Sequence, residues 1–136
     1  MTLTEFLLAR IAEDEAVARA VIEADYSDGI WHWDMHRAKP YRSALVDNRG
    51  VVVLPPKNDD VYPSKNVADH IARHNPARVL AECEAKRRIV GMFESREEQA
   101  HESNAVAAHA TGLLLAMKCL ATVYADHPDF DEAWRM

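Results

Sequence analysis

The sequence predicts an α+β fold, with three main helices packed against a small antiparallel sheet of two or three strands. Three observations predict it. Apolar residues recur at helical spacing over 3–24, 76–93 and 97–124. Residues 30–36 change to the alternation of a strand. The triplet Asn48-Arg49-Gly50 separates two short apolar runs, as a hairpin turn does.

The first helix opens on Thr2-x-x-Glu5, a capping box in which each residue satisfies the other's amide. Met1 and Phe6 occupy the positions of a hydrophobic staple. Leu3, Phe6, Leu7, Ile11, Val17, Ala18, Val21 and Ile22 form its apolar stripe, and Asp14 falls inside that stripe. Ser27-Asp28-Gly29 ends the helix. Strands are predicted at 30–36, 43–47 and 51–54, with Gly50 where the turn needs positive φ. Pro55-Pro56 stops the sheet, and a polar loop follows to residue 65.

Asn66 is expected to cap a short helix over 67–74. Pro76 lacks an amide hydrogen and clashes with a preceding turn, so the helix breaks there. Asn75 as N-cap with Pro76 at the first helical position restarts it. This helix presents Val79, Leu80, Cys83, Val90 and Phe93 inward, with an outer ladder of Arg78–Glu82, Glu82–Lys86 and Glu84–Arg88 pairs. Ser95-Arg96-Glu97-Glu98 is read as the next break. The last long helix carries Val106, Ala110, Leu113, Leu114, Met117, Leu120, Ala121 and Tyr124, with Gly112 off the stripe, either exposed or at a close helix approach. Asp126-His127-Pro128 ends it, and Phe130 and Trp134 tack a final helical turn at 129–135 to the body.

At 136 residues the chain is expected to be a single domain, 1–136, large enough to bury roughly two-thirds of its unfolded surface. The formal net charge of −6 disfavours general nucleic-acid binding, which needs a basic field. The two cysteines, Cys83 and Cys119, form no C-x-x-C pair and read as reduced core thiols of a cytoplasmic protein. The amino terminus lacks the basic and apolar regions of a signal peptide. No continuous run reaches the ~18 apolar residues of a membrane span, so no membrane partner is expected.

Four groups of residues are candidates for chemistry. His32, Asp34 and His36 share one face of a strand and could offer two imidazoles and a carboxylate to a divalent metal. Same-face Cβ atoms lie ~7 Å apart in a strand, so all three would need a bend to chelate. The bland reading is the polar outer face of a half-buried strand, with Trp31, Trp33 and Met35 on the buried one. His70 and His74 share a helix face at i,i+4. Ile71 stands where a zinc protease needs glutamate, which excludes that mechanism. The alternative is that His74 bonds to the helix end beside Asn75-Pro76. Lys86 and Arg87 project toward the apolar side of their helix, as Asp14 does on its own. A structural ion pair between them would account for both anomalies; the alternatives are cations that snorkel into solvent and an anion or nucleic-acid site. Trp31, Trp33, Tyr41 and Tyr62 with Arg37, Lys39 and Arg42 could stack a nucleotide, although no phosphate-cradling glycine loop accompanies them.

The stretches FLLARIAEDEAVARAVIE, Trp31-His32, DHIARHNPARVLAECEAKRRIV and YADHPDFDEAWR resemble an uncharacterised family of small actinobacterial and actinophage proteins, a domain family of unknown function. The resemblance covers about half the chain. It departs from the family pattern at 95–123, where an Ala/Leu-rich helix with only Cys119 replaces a Cys- and His-rich stretch. What it implies is context, a cytoplasmic accessory protein that is phage-encoded in some members. It implies no reaction, substrate or catalytic residue.

The expected function is a non-catalytic accessory protein that binds a protein partner or itself as a homodimer, with no cofactor. The runner-up is a divalent-metal-binding protein or metal-dependent hydrolase using His32, His36, His70 and His74. A third reading is a small-molecule or nucleotide binder at the aromatic sheet.

Overall fold

A computed structural model describes residues 1–25, 27–34, 43–54 and 64–136. Its elements are α1 (Leu3–Asp25), β1 (Trp31–Asp34), β2 (Ala44–Asp47), β3 (Val52–Leu54), α2 (Lys65–Arg73), α3 (Pro76–Glu98) and α4 (Asn104–Ala121). Two 3-10 turns follow, Thr122–Tyr124 and Glu132–Trp134. The architecture is α+β, as the periodicities predict. The chain forms two compact units: residues 1–14 with 82–136, and residues 15–81. Helices α1 and α3 each contribute to both.

In the first unit, the capping box forms as read. The Thr2 amide donates to Glu5 Oε2 at 2.7 Å, and the Glu5 amide donates to Thr2 Oγ1 at 3.2 Å. Leu3, Phe6, Leu7 and Ile11 are buried from α1, with Cys83, Val90 and Phe93 from α3 and Ala110, Met117 and Ala121 from α4. These recur every three or four residues, which puts them on one face of each helix. Met1 is largely exposed. The predicted break at 95–98 does not occur there: α3 continues to Glu98. Arg and Glu are good helix formers and no Gly or Pro interrupts them. The chain turns over 99–102 instead, and Ser103 caps α4 by accepting the Val106 amide at 3.2 Å. Cys83 is buried, but Cys119 is exposed, so only one of the two thiols belongs to the core.

The second unit holds the sheet, in order β1-β2-β3, with both pairings antiparallel. β2 is buried along its whole length, and α2 packs against β1. Trp31 and Trp33 are half-buried rather than buried, and Met35 lies outside the described residues. Asp47 ends β2, fully buried, and organises the hairpin. Its carboxylate accepts the amides of Asp28 (3.2 Å), Arg49 (2.9 Å) and Val51 (2.9 Å), and the Arg49 guanidinium at 3.2 Å. Burial pushes the Asp47 pKa up, but these bonds favour the charged form by more, and the net direction is down. Gly50 takes φ +81° in the turn, as predicted.

Gly29 also has positive φ, at +76°. Its carbonyl accepts the Ala77 amide at 3.0 Å, which ties the turn after α1 to the first turn of α3. Asn75 caps α3 as predicted, accepting the Arg78 amide at 3.0 Å, and its side-chain amide donates to the Ala72 carbonyl at 2.9 Å. Asn66 is not the cap of α2. That helix begins at Lys65, after Ser64, and the i,i+4 pair Lys65–Asp69 supports its first turns. Val17, counted in the apolar stripe of α1, is 70% exposed.

Candidate functional site

Polar chemistry in the first unit concentrates where α1 and α3 meet the end of α4. Asp14, Lys86 and Tyr124 each fall on the inward side of their element. Each is only partly open to water, so a polar partner within the protein favours it. They supply one another: the Tyr124 hydroxyl donates to Asp14 Oδ2 at 2.6 Å and accepts from Lys86 Nζ at 3.1 Å. Lys86 Nζ lies 3.8 Å from Asp14 Oδ2 and 5.5 Å from the centre of the Tyr124 ring. Burial raises the Tyr124 pKa, and donation to Asp14 raises it further. For Lys86, burial acts downward, but the hydrogen bond to Tyr124 and the negative charge nearby outweigh it, so the net direction is up. The raised values keep Tyr124 a neutral phenol and Lys86 an ammonium at neutral pH. With Asp14 they join three elements by one polar bridge.

The bridge runs through Lys86. Arg87 is half-buried and takes part in interactions of its own. Tyr124 reads in the sequence only as the last apolar position of the long helix. Nothing in helical spacing says that its hydroxyl is used.

Beside the triad, Phe6 is the hub of an aromatic cluster. Its ring centre lies 6.4 Å from Tyr124, 5.8 Å from His127, 6.0 Å from Phe130 and 4.9 Å from Trp134. The tail 124–135 therefore packs on α1, as the placement of Phe130 and Trp134 suggests. Sequence reading missed Arg10. It is 6% exposed, holds Glu13 through two bonds of 2.8 and 2.5 Å, and lies 5.2 Å over the Phe6 ring. Its Nη1 lies 3.0 Å from His127 Nδ1. The one available signal was an arginine one helical turn after a phenylalanine in an otherwise apolar stripe.

In the second unit, His70 and His74 stack at 4.4 Å between ring centres, and His74 Nδ1 lies 2.9 Å from the His70 carbonyl. Since a carbonyl only accepts, Nδ1 carries the proton and His74 serves the end of α2. His32 is exposed on β1, Asp34 is half-buried, and His36 lies outside the described residues, as do Tyr41, Tyr62, Arg37, Lys39 and Arg42. Among the described residues, no group of three or more His, Cys, Asp or Glu side chains is placed to hold a metal ion.

The remaining feature is α4. Only Ala110, Met117 and Ala121 of it are buried. Leu115 is 48% exposed and Val123, just beyond, 72%. Gly112 is exposed, and open space surrounds it. Residues 104–124 are long and apolar enough, by length and composition, to cross a membrane, a test that core helices also pass. The stretch contains one charged side chain, Lys118, whose Nζ donates to the Ala133 carbonyl at 3.1 Å.

Fold and side-chain placement together define a small α+β protein. The sequence profile of a family of unknown function, DUF6221, matches residues 1–136, and the chain belongs to that family. Searches of curated proteins and of solved structures each return no match.

Proposed function

We propose that this chain is a non-catalytic, cytoplasmic accessory protein that self-associates through the exposed face of α4. The observation that carries this reading is the mismatch between the composition of α4 and its burial. Ala105, Ala108, Gly112, Leu115, Cys119 and Thr122 recur at alternating spacings of three and four, and Ala105, Ala108, Gly112, Leu115, Cys119 and Thr122 are all exposed. Small residues on such a seam let two backbones approach closely, and Leu115 supplies the apolar anchor.

A second copy is the occupant that charge favours. With a formal net charge of −6, two copies repel one another over most approaches. Residues 104–124 contain no Asp or Glu, so a two-fold contact along α4 avoids that repulsion and leaves the interface core free of charge. The actinobacterial or phage setting is part of this reading and is supported by the motif resemblance of 69–90 and 124–135.

Light scattering and sedimentation equilibrium over a hundredfold concentration range test it. Burying a leucine fully is worth about 1.5–3 kcal/mol. Leu115, half exposed, would then contribute about 1 kcal/mol per copy, or about 30-fold in the dimer dissociation constant when both copies change. Leu115→Glu adds the cost of a charge in the seam, so a wild-type dimer should become monomeric with unchanged circular dichroism. A wild-type monomer at every concentration overturns the proposal, as does a dimer indifferent to Leu115→Glu. So does a wild-type monomer that floats with lipid vesicles through Leu115, because that assigns the face to lipid.

A further inference from the structure

We propose that His127 is a pH-operated latch, holding the carboxy-terminal segment on α1 when its ring is neutral and releasing it when the ring takes up a proton. The geometry at Nδ1 carries this. Two groups point at that nitrogen: Arg10 Nη1 at 3.0 Å and the Asp129 backbone amide at 3.1 Å. A guanidinium and an amide N–H can only donate, so Nδ1 carries no proton and its one lone pair is shared between the two donors. The neutral ring therefore holds its hydrogen on Nε2. This is the reverse of His74, whose Nδ1 faces a carbonyl and must donate.

Protonation at Nδ1 turns the acceptor into a donor facing two donors. Both bonds are lost, and an imidazolium stands against the Arg10 guanidinium. The charged and titratable groups around it decide where it goes. From α1 these are Arg10 and Glu13, and Glu13 is held by Arg10 through two bonds. From its own segment it is Asp129, whose Oδ2 lies 3.9 Å from Nδ1. The Tyr124 carbonyl accepts the His127 amide at 3.0 Å, both rings pack on Phe6, and the Tyr124 hydroxyl is committed to Asp14 and Lys86. The proton thus exchanges one set of partners for another. Neutral His127 shares Arg10 with Glu13; charged His127 turns to Asp129 and leaves Arg10 to Glu13 alone.

The consequence spreads because His127 sits at the root of the tail. The Phe130 amide donates to the His127 carbonyl at 2.9 Å, and Phe130 and Trp134 both pack on Phe6. Turning His127 toward Asp129 withdraws one of the contacts that hold this segment on α1, beside the Tyr124–Asp14 bond and the packing of Phe130 and Trp134 on Phe6, and so loosens the aromatic face around Phe6.

Two measurements on the full chain test the latch. Long-range proton–nitrogen correlation spectra of the imidazoles report which nitrogen is protonated, and at pH 8 His127 should show a bare Nδ1 and a protonated Nε2. Hydrogen exchange should then show the Phe130 and Trp134 amides losing protection about 10-fold between pH 8 and the pH at which the spectra show Nδ1 protonated, the loss expected for one to two net hydrogen bonds. In His127→Gln, whose side-chain oxygen still accepts from Arg10, that pH response should vanish. A protonated Nδ1 at pH 8 overturns the proposal, as does flat protection of the wild-type tail or a response that survives in His127→Gln. If His127→Gln does not fold, the wild-type spectra and exchange profile still decide.

Discussion

Tyr124→Phe removes one oxygen and leaves the ring that packs on Phe6. In the wild type that oxygen donates to Asp14 at 2.6 Å and accepts from Lys86 at 3.1 Å. A hydrogen bond to a charged group contributes about 1.5–3 kcal/mol when well shielded. Here shielding is partial: the Asp14 side chain is 39% exposed and that of Lys86 20%. Solvent screening brings such pairs toward the range of about 0–1 kcal/mol each, so the substitution should cost about 1–2 kcal/mol in all. The pH dependence has a definite sign. Burial first, and then donation to Asp14, raise the Tyr124 pKa in the fold; the Lys86 pKa is also raised, its bond to Tyr124 and nearby negative charge outweighing burial. A raised value means that the contribution is fully present below the unfolded pKa and is lost as pH rises through the folded one. Wild-type stability should therefore lose both contributions only above about pH 10, where free tyrosine and lysine titrate. Urea unfolding followed by circular dichroism at neutral and strongly alkaline pH measures both effects, with Lys86→Met completing a double-mutant cycle. Tyr124→Phe equal in stability to wild type at neutral pH, or additive with Lys86→Met, would refute the reasoning.

Phe6→Ala should destabilise by about 3–5 kcal/mol, since a fully buried hub ring leaves a cavity that four aromatic neighbours cannot fill; a lowered urea midpoint with loss of the near-ultraviolet aromatic signal checks it. Gly50→Ala should cost about 1–2 kcal/mol for positive φ alone, because its added methyl meets open space. Gly29→Ala should cost more, because its Cβ would fall 2.9 Å from Ile22 Cδ1 and 3.4 Å from the Ala77 nitrogen; equal melting points for the two variants would count against this. The contribution of Asp47, whose pKa is lowered because its hydrogen bonds outweigh burial, is present above the ordinary aspartate value and is lost as pH falls through the lower folded one. In Asp47→Asn the acid loss should shrink and the Arg49 and Val51 amides should exchange faster at neutral pH, as proton-exchange spectra would show.

Much of this fold was legible without coordinates. The capping box at Thr2 and Glu5, the Asn75-Pro76 restart and the positive φ of Gly50 are local devices. Each depends on residues within a few positions of one another, so sequence order determined them. The breaks were less legible. Ser95–Glu98 looked like a stop only because it is polar, whereas Ser103 is the cap because its hydroxyl meets an orphan amide.

What only the tertiary structure decided lies in pairs far apart in the chain. Asp14 and Lys86 were visible as anomalies, charges on apolar faces, but Tyr124 as the group between them was not. A tyrosine serves an apolar stripe equally well whether its hydroxyl is used or idle. Arg10 and His127 are separated by most of the chain, and the direction in which His127 takes its hydrogen bonds depends on the donors that packing brings to one nitrogen. The same holds for α4. Its composition is written in the sequence, but periodicity gives it one apolar stripe. Only packing shows that this core uses Ala110, Met117 and Ala121 and leaves Leu115 and Val123 in water. Local chemistry determined where the elements begin and turn. Packing decided which polar atoms are satisfied from within and which apolar ones remain uncovered.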